Sequence, residues 1–132
     1  MKKPITLIIG ANSGIAKVLA KQVAGDDGVL IVITRHSDFY QHQSFNFTQL
    51  IPVKSYDEDE IANAIATIDT ESRVNISQVF ICHGVLHNKR CQPEKRLEDF
   101  SAEAFSEIIQ ANTITPMLWL KHLVPILTHK QP

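Results

Sequence analysis

The sequence has little that would tie it to a charged polymer, a metal or a membrane. Its 132 residues carry 13 Lys and Arg against 14 Asp and Glu, a formal net charge of −1. No basic stripe is available for DNA or RNA, and no basic amphipathic helix for a membrane surface. No apolar run approaches the ~20 residues needed to cross a bilayer. Lys2 and Lys3 lead into a strand-like run, not into a long apolar segment with a small-residue cleavage site, so no signal peptide is read. Only two cysteines occur, Cys82 and Cys91. They are too few and too ill-spaced for a disulfide framework or a zinc site. They read as reduced thiols, and the expected location is the cytoplasm. Cys82 reads as a small buried residue before it reads as a nucleophile. His83 and His87 are four apart but follow a strand and have no third ligand nearby in sequence, so no metal site is expected.

What is present is an ordinary globular composition, 44% apolar and 20% charged, of a length that suits one domain. Short apolar strands alternate with helical periods. Pro4 to Gly10 is a strand buried on both faces, and Gly14 to Ala24 is a helix with Ile15, Leu19 and Val23 at helical spacing. The turn Gly25 to Gly28 stops it, and Val29 to Thr34 is a second strand. Residues 36 to 48 read as a loop, and Leu50 to Val53 as a short third strand. Ser55 to Asp69 reads as a helix, with Asp57 and Glu60 spaced as a capping box and Ile61, Ile65 and Ile68 as the apolar stripe. Asp57 to Glu60 is an acidic run suited to that helix's own dipole. Ile76 to Cys82 is a fourth strand. Residues 84 to 100 form a polar loop whose Lys89, Arg90, Lys95 and Arg96 read as solvated. Ser101 to Leu127 is a long helix expected to bury Phe105, Ile108, Ile109, Met117, Leu120 and Val124. Strands alternating with helices in this way imply a parallel sheet with right-handed crossovers.

The chemistry concentrates where the first strand meets the first helix. Gly10 permits a tight turn and Gly14 opens the helix, whose free N–H groups and positive dipole end suit a phosphate. Asn12 and Ser13 add side-chain donors, and the backbone of Ile15 belongs to the same opening turn. A glycine pair alone also fits a plain strand-to-helix turn. Its place after the first strand of a βαβ unit favours a nucleotide. No Gly-Lys-Ser/Thr follows, which excludes a P-loop.

These residues resemble the TGxxxGxG motif of the short-chain dehydrogenases/reductases, with Ile9 for threonine and Ala16 for the last glycine. Ile81-Cys82-His83-Gly84 stands where that family has NNAG, and Ala111-Asn112 is similar to its structural and catalytic asparagine. The stretches 84–87 and 93–100 and the helix leading to Pro116 resemble the subgroup related to the bacterial C-factor signalling protein. The resemblance implies an α/β, Rossmann-type doubly wound parallel sheet with strand order 3-2-1-4. Residues 1–132 would then be the N-terminal part of a single NAD(P)-binding domain, truncated before the later strands. It also implies that Cys82, His83 and Gly84 border the cofactor, that His83 narrows the pocket or adds a donor, and that an apolar contact between Ile9 and Ile81 replaces the family's polar tie.

The cofactor reading turns on the end of the second strand. An NAD enzyme needs an acidic residue there for the ribose hydroxyls. Thr34 takes that place, Arg35 follows, and no carboxylate comes before Asp38. Arg35 can pair with a 2′-phosphate, so NADP is favoured over NAD; the alternative is a solvated loop arginine. Lys54 or Ser55 stands where the family often has an aspartate for adenine. In the last helix Pro116 has no N–H for the Asn112 carbonyl, which predicts a kink. The resemblance makes that carbonyl the holder of a water in a proton relay; the plainer reading is a bent surface helix.

The family's serine and Tyr-x-x-x-Lys do not occur. Tyr40 is followed at +4 by Ser44, and Tyr56 by Glu60. The expectation is therefore a cofactor-binding fragment, inactive alone, whose full-length parent reduces a small carbonyl or oxidises an alcohol. A homo-oligomer is expected, formed through helix 101–127 or through the exposed fourth strand. Two other classes stay open: a dinucleotide-binding signalling module without turnover, and an interaction protein with an empty pocket.

Overall fold

The computed structural model describes residues 3–41, 45–83, 98 and 100–127. The elements run β1 (Ile5–Ile9), α1 (Gly14–Gly25), β2 (Val29–Thr34), α2 (Asp38–Gln41), β3 (Phe47–Pro52), α3 (Glu58–Thr67), α4 (Thr70–Arg73), β4 (Ile76–Ile81), α5 (Ala102–Ile109), a π-helical turn (Gln110–Ile114) and α6 (Thr115–Leu127). The four strands form one parallel sheet in the order β3-β2-β1-β4. This is the Rossmann-type arrangement, and its chain order reverses between β1 and β4.

Side chains that alternate along each strand feed two cores. On one face Ile5, Leu7 and Ile9 of β1 and Ile31 and Ile33 of β2 meet Ile61, Ile65 and Ile68 around α3, and Trp119 and Leu123 of α6. On the other, Ile8, Leu30 and Val32 meet Ala16 and Ala20 of α1, with Tyr40 closing the end. The two alanines let α1 lie close to the sheet. Glu58 joins α3 to α6, accepting from Lys121 at 2.6 Å and lying 2.9 Å from His122 Nε2. Those bonds hold its carboxyl below the usual range, but so exposed a pair contributes little to stability.

Several expected boundaries are corrected. The segment 36–48 is not all loop: Asp38–Gln41 is helical and β3 begins at Phe47 rather than Leu50. Burial drives both, because Phe39, Tyr40, Phe45 and Phe47 pack ring on ring at 4.9–6.1 Å. The helix read as Ser55 to Asp69 is Glu58–Thr67, with a separate turn of helix at Thr70–Arg73. Asp57 is its N-cap but makes no side-chain cap bond. The carboxylate of Glu60 instead accepts from the Lys54 N–H at 3.5 Å, so the capping box does not form.

The last helix is corrected twice. It is interrupted by the π-helical turn, where Thr115 N–H reaches back to Gln110 carbonyl; Pro116, which has no N–H, follows directly. And the stripe expected inside lies largely outside: Phe105 (47%), Ile109 (36%), Met117 (59%), Leu120 (41%) and Val124 (49%) are exposed. Thr115, Trp119 and Leu123 face the sheet in their place. Both stripes have helical spacing, so periodicity alone does not say which one meets the core.

Candidate dinucleotide site

The carboxyl ends of β1, β2 and β4 open into a cavity of about 390 Å³ lined by Gly10, Asn12, Ser13, Arg35, His36, Tyr56, Cys82, His83, Ala111 and Thr115. Six of the residues singled out from sequence thus share one wall: Gly10, Asn12, Ser13, Arg35, Cys82 and His83. A larger hollow of about 650 Å³, with Lys3, Ile5 and Val29 in its lining, lies at the opposite, amino end of the strands. Parallel sheets bind ligands at their carboxyl ends, beside the point where strand order reverses, so the smaller cavity is the candidate.

Gly10 has φ +70°, a left-handed conformation. A Cβ there would sit 2.9 Å from His83 Nδ1 and 3.2 Å from the Cys82 carbonyl carbon. Glycine is therefore required by both backbone and space. At the head of α1, Ser13 is the N-cap, and its hydroxyl accepts from the Ala16 N–H at 3.1 Å. The Gly14 and Ile15 N–H groups have no partner among the described residues. Two open amides at a helix N-terminus suit an anion, and a Cβ on Gly14 would meet nothing within 4 Å, so the approach is clear. Ile15, 74% exposed, lines not this cavity but an adjoining hollow with Leu19, Phe80 and Ile81, which Ser13, Cys82 and His83 also border.

Thr34, fully buried, spends its hydroxyl on its own turn, donating to the His36 carbonyl and accepting from the His36 N–H, both at 3.1 Å. Among the described residues no carboxylate lines the cavity, and the cation there is Arg35, exposed, with the guanidinium 5.3 Å from the Tyr56 ring centroid. Stacking of this kind restrains an arginine. Ser55 accepts from the Asp57 N–H at 3.3 Å, and neither it nor Lys54 is part of the cavity lining.

His83 is the centre of the inner wall. Its Nε2 accepts from Trp119 Nε1 at 2.8 Å. Its ring lies 4.2 Å from Tyr56, edge to face, and is near-coplanar with Trp119, 16° between planes with centroids 6.2 Å apart. Burial first, and then the nearby Arg35 charge, lower its pKa to about 4, so it is neutral at pH 7. Burial raises the Cys82 thiol, keeping it protonated. Ile9 and Ile81 are register partners between β1 and β4, the apolar contact expected there.

Asn112 lies exposed in the π-helical turn; the cavity is lined by its neighbours Ala111 and Thr115 and not by its own side chain. Gly84 lies outside the described residues. The sequence reading missed Tyr56 and Trp119. The spacing of Thr115, Trp119 and Leu123 at four-residue intervals was the signal for the second. Among the described residues no group of three or more His, Cys, Asp or Glu gathers as a metal site, and no helix is long and apolar enough to cross a membrane.

No known family model matches the chain. Its matches among curated proteins include the uncharacterized oxidoreductase YxjF of Bacillus subtilis (strain 168), 22% identical across 99% of this chain and 51% of that protein. A solved structure of ElxO with NADP bound superposes with a TM-score of 0.76, at 16% identity, over 97% of this chain and 52% of that one. A short-chain type dehydrogenase/reductase from Mycobacterium ulcerans gives 0.75 at 19% identity, over 98% and 48%. The chain carries the fold of the short-chain dehydrogenases/reductases. It spans about half the length of these relatives. None of the matches bears on the C-factor-like subgroup.

Proposed function

We propose that this short-chain dehydrogenase/reductase fold binds a nicotinamide dinucleotide, NADP in preference to NAD, as the cofactor-binding part of an oxidoreductase. One observation carries the reading: Gly10, Asn12 and Ser13, which lead into the unpaired Gly14 and Ile15 amides, line the same carboxyl-end cavity as Arg35, and among the described residues no carboxylate stands in its wall. The backbone from Gly10 to Ile15, with Asn12 and Ser13, would hold the pyrophosphate. Arg35 would hold a 2′-phosphate, and Cys82, His83 and Gly84 would border the ribose. NADP in ElxO is consistent with this choice. The nicotinamide supplies the hydride acceptor or donor when bound; the residues of this chain bind and orient it and exclude water. Asn112 would take part in a proton relay, as in the family it resembles.

The whole protein would reduce a small carbonyl or oxidise an alcohol, with residues 1–132 as the first part of one cytoplasmic, dinucleotide-binding domain. The chain alone would not turn over substrate, since neither tyrosine is offered as an acid or base. Tyr40 is tied to Ala11 and raised to about 12, and Tyr56, raised by burial above all, has Glu60 where a lysine would stand. The same observation favours, as a second reading, a dinucleotide-binding module without turnover. Self-association through α5 and α6, or along the outer edge of β4, completes the proposal.

Titration with NADPH and NADH tests it. NADPH is expected to bind more tightly, and Arg35→Ala to weaken NADPH about tenfold to a hundredfold, the span of a charge-assisted pair, while leaving NADH unchanged. Equal indifference to both dinucleotides would overturn the proposal.

A further inference from the structure

Trp119 is the chain's single tryptophan and is fully buried between α6 and the sheet. An indole N–H is a donor with no acceptor capacity. Because it reaches His83 Nε2 at 2.8 Å, that nitrogen must keep its lone pair, and the neutral ring carries its proton on Nδ1. Nδ1 is the atom that abuts the glycine turn, 2.9 Å from where a Gly10 Cβ would stand. No acceptor pairs with it among the described residues, and no sealed, unpartnered side-chain nitrogen or oxygen exists among them. Nδ1 is therefore not sealed, and His83 lines both the candidate cavity and the adjoining hollow beside Ile15. Tyr56 packs on the ring at 4.2 Å, edge to face, and Trp119 holds it in line through the Nε1–Nε2 bond, with the two planes 16° apart.

We infer that Trp119 is a positioning residue of the dinucleotide site: it holds His83 in the Nδ1–H form, so that the turn after β4 presents a neutral donor to an oxygen of the ligand beside Gly10. The inference rests on the dinucleotide reading above. It gives the imidazole a definite task where the sequence left two, narrowing the pocket or adding a donor. A neutral donor suits this wall because Arg35 already supplies the charge, and a second cation beside it is disfavoured by burial and by that charge.

The test uses the full chain and four proteins. Nitrogen-15 NMR of the wild type should show His83 protonated on Nδ1 and bare on Nε2 near pH 7. Trp119→Phe keeps an aromatic ring but removes the N–H. It should let the proton move to Nε2 and weaken NADPH about threefold to tenfold, the range of one hydrogen bond. His83→Asn supplies an amide donor that does not depend on Trp119. Adding Trp119→Phe to it should change affinity less than twofold. A wild-type ring protonated on Nε2 overturns the inference without any ligand measurement, and so does NADPH affinity unaltered in folded Trp119→Phe. If the wild type binds no dinucleotide while the Nδ1 proton is in place, the functional reading has failed and the inference falls with it.

Discussion

Tyr40 donates its hydroxyl to the Ala11 carbonyl at 2.6 Å, across 29 residues of chain and inside the second core. The bond ties the short helix α2 to the glycine turn, so the phenol serves architecture and not proton transfer. Removing it leaves a buried carbonyl short of that partner. Tyr40→Phe should therefore lower stability by about 1–2 kcal/mol in urea unfolding, and a loss below a few tenths would mean the carbonyl is satisfied otherwise. His83 is coupled to pH in the opposite sense from a salt-bridged histidine. Its folded pKa of about 4 lies below the ~6.5 of an unfolded chain. The unfolded state then binds more protons between those values, and stability falls as pH drops from about 6.5 towards 4. Protonation would also set an Nε2–H against the indole N–H of Trp119. Among the described residues the groups facing the ring are Arg35, Tyr56, Cys82 and Trp119, and none of these is an anion that could rescue the charged form. After discounting for partial exposure, the loss is on the order of 1–2 kcal/mol. It should appear as the difference between wild type and His83→Asn in unfolding measured at pH 7 and at pH 4.5; parallel curves would refute it.

The strand-to-helix turn holds two glycines with different physical reasons, and substitution separates them. Gly10→Ala must adopt φ near +70° and push against His83 Nδ1 at 2.9 Å. A cost of about 1–2 kcal/mol follows from the left-handed backbone alone. Gly14→Ala meets nothing within 4 Å and gains the helix preference of alanine, so the fold should be unharmed or up to about 1 kcal/mol more stable. Its methyl nevertheless stands at the amides proposed for the pyrophosphate, so NADPH binding should weaken although thermal unfolding does not. A Gly14→Ala protein that binds like the wild type would move the phosphate away from this turn. The contrast also marks what could be read in advance. β1, α1 and β2 were legible because a buried strand, a glycine turn and a helical period are local patterns, and parallel order followed from their alternation, although α1 buries Ala16 and Ala20 while Ile15, read as part of its apolar stripe, is exposed. The site residues on those elements, Gly10, Asn12, Ser13 and Arg35, came with them. What stayed hidden depends on distant contacts. The aromatic packing of Phe39, Tyr40, Phe45 and Phe47 makes order within a segment that looks like loop. The bond between Trp119 and His83 spans 36 residues, and no spacing rule reaches that far.

At the scale of the molecule, α6 has apolar side chains around most of its circumference, which is the signature of a helix covered on both sides. Trp119 and Leu123 are covered by the sheet, whereas Met117, Leu120 and Val124, with Phe105 and Ile109 of α5, are left in water. Scattered apolar residues on a surface need no explanation, but a stripe sustained along two consecutive helices is typical of an interaction face. The outer edge of β4 is a second open surface: its strand pairs with β1 alone among the described residues, and unpaired strand edges recruit other chains. The two routes make different demands on side chains. Edge pairing runs through backbone groups and tolerates a charge on a helix, whereas helix packing does not. Met117→Lys with Leu120→Glu should therefore lower the mass observed by sedimentation at tens of micromolar without lowering the unfolding midpoint, because both residues are exposed in the single chain. If the mass stays high in this double variant, association proceeds along β4; if the wild type already sediments as a single chain, self-association is wrong and both surfaces await another partner.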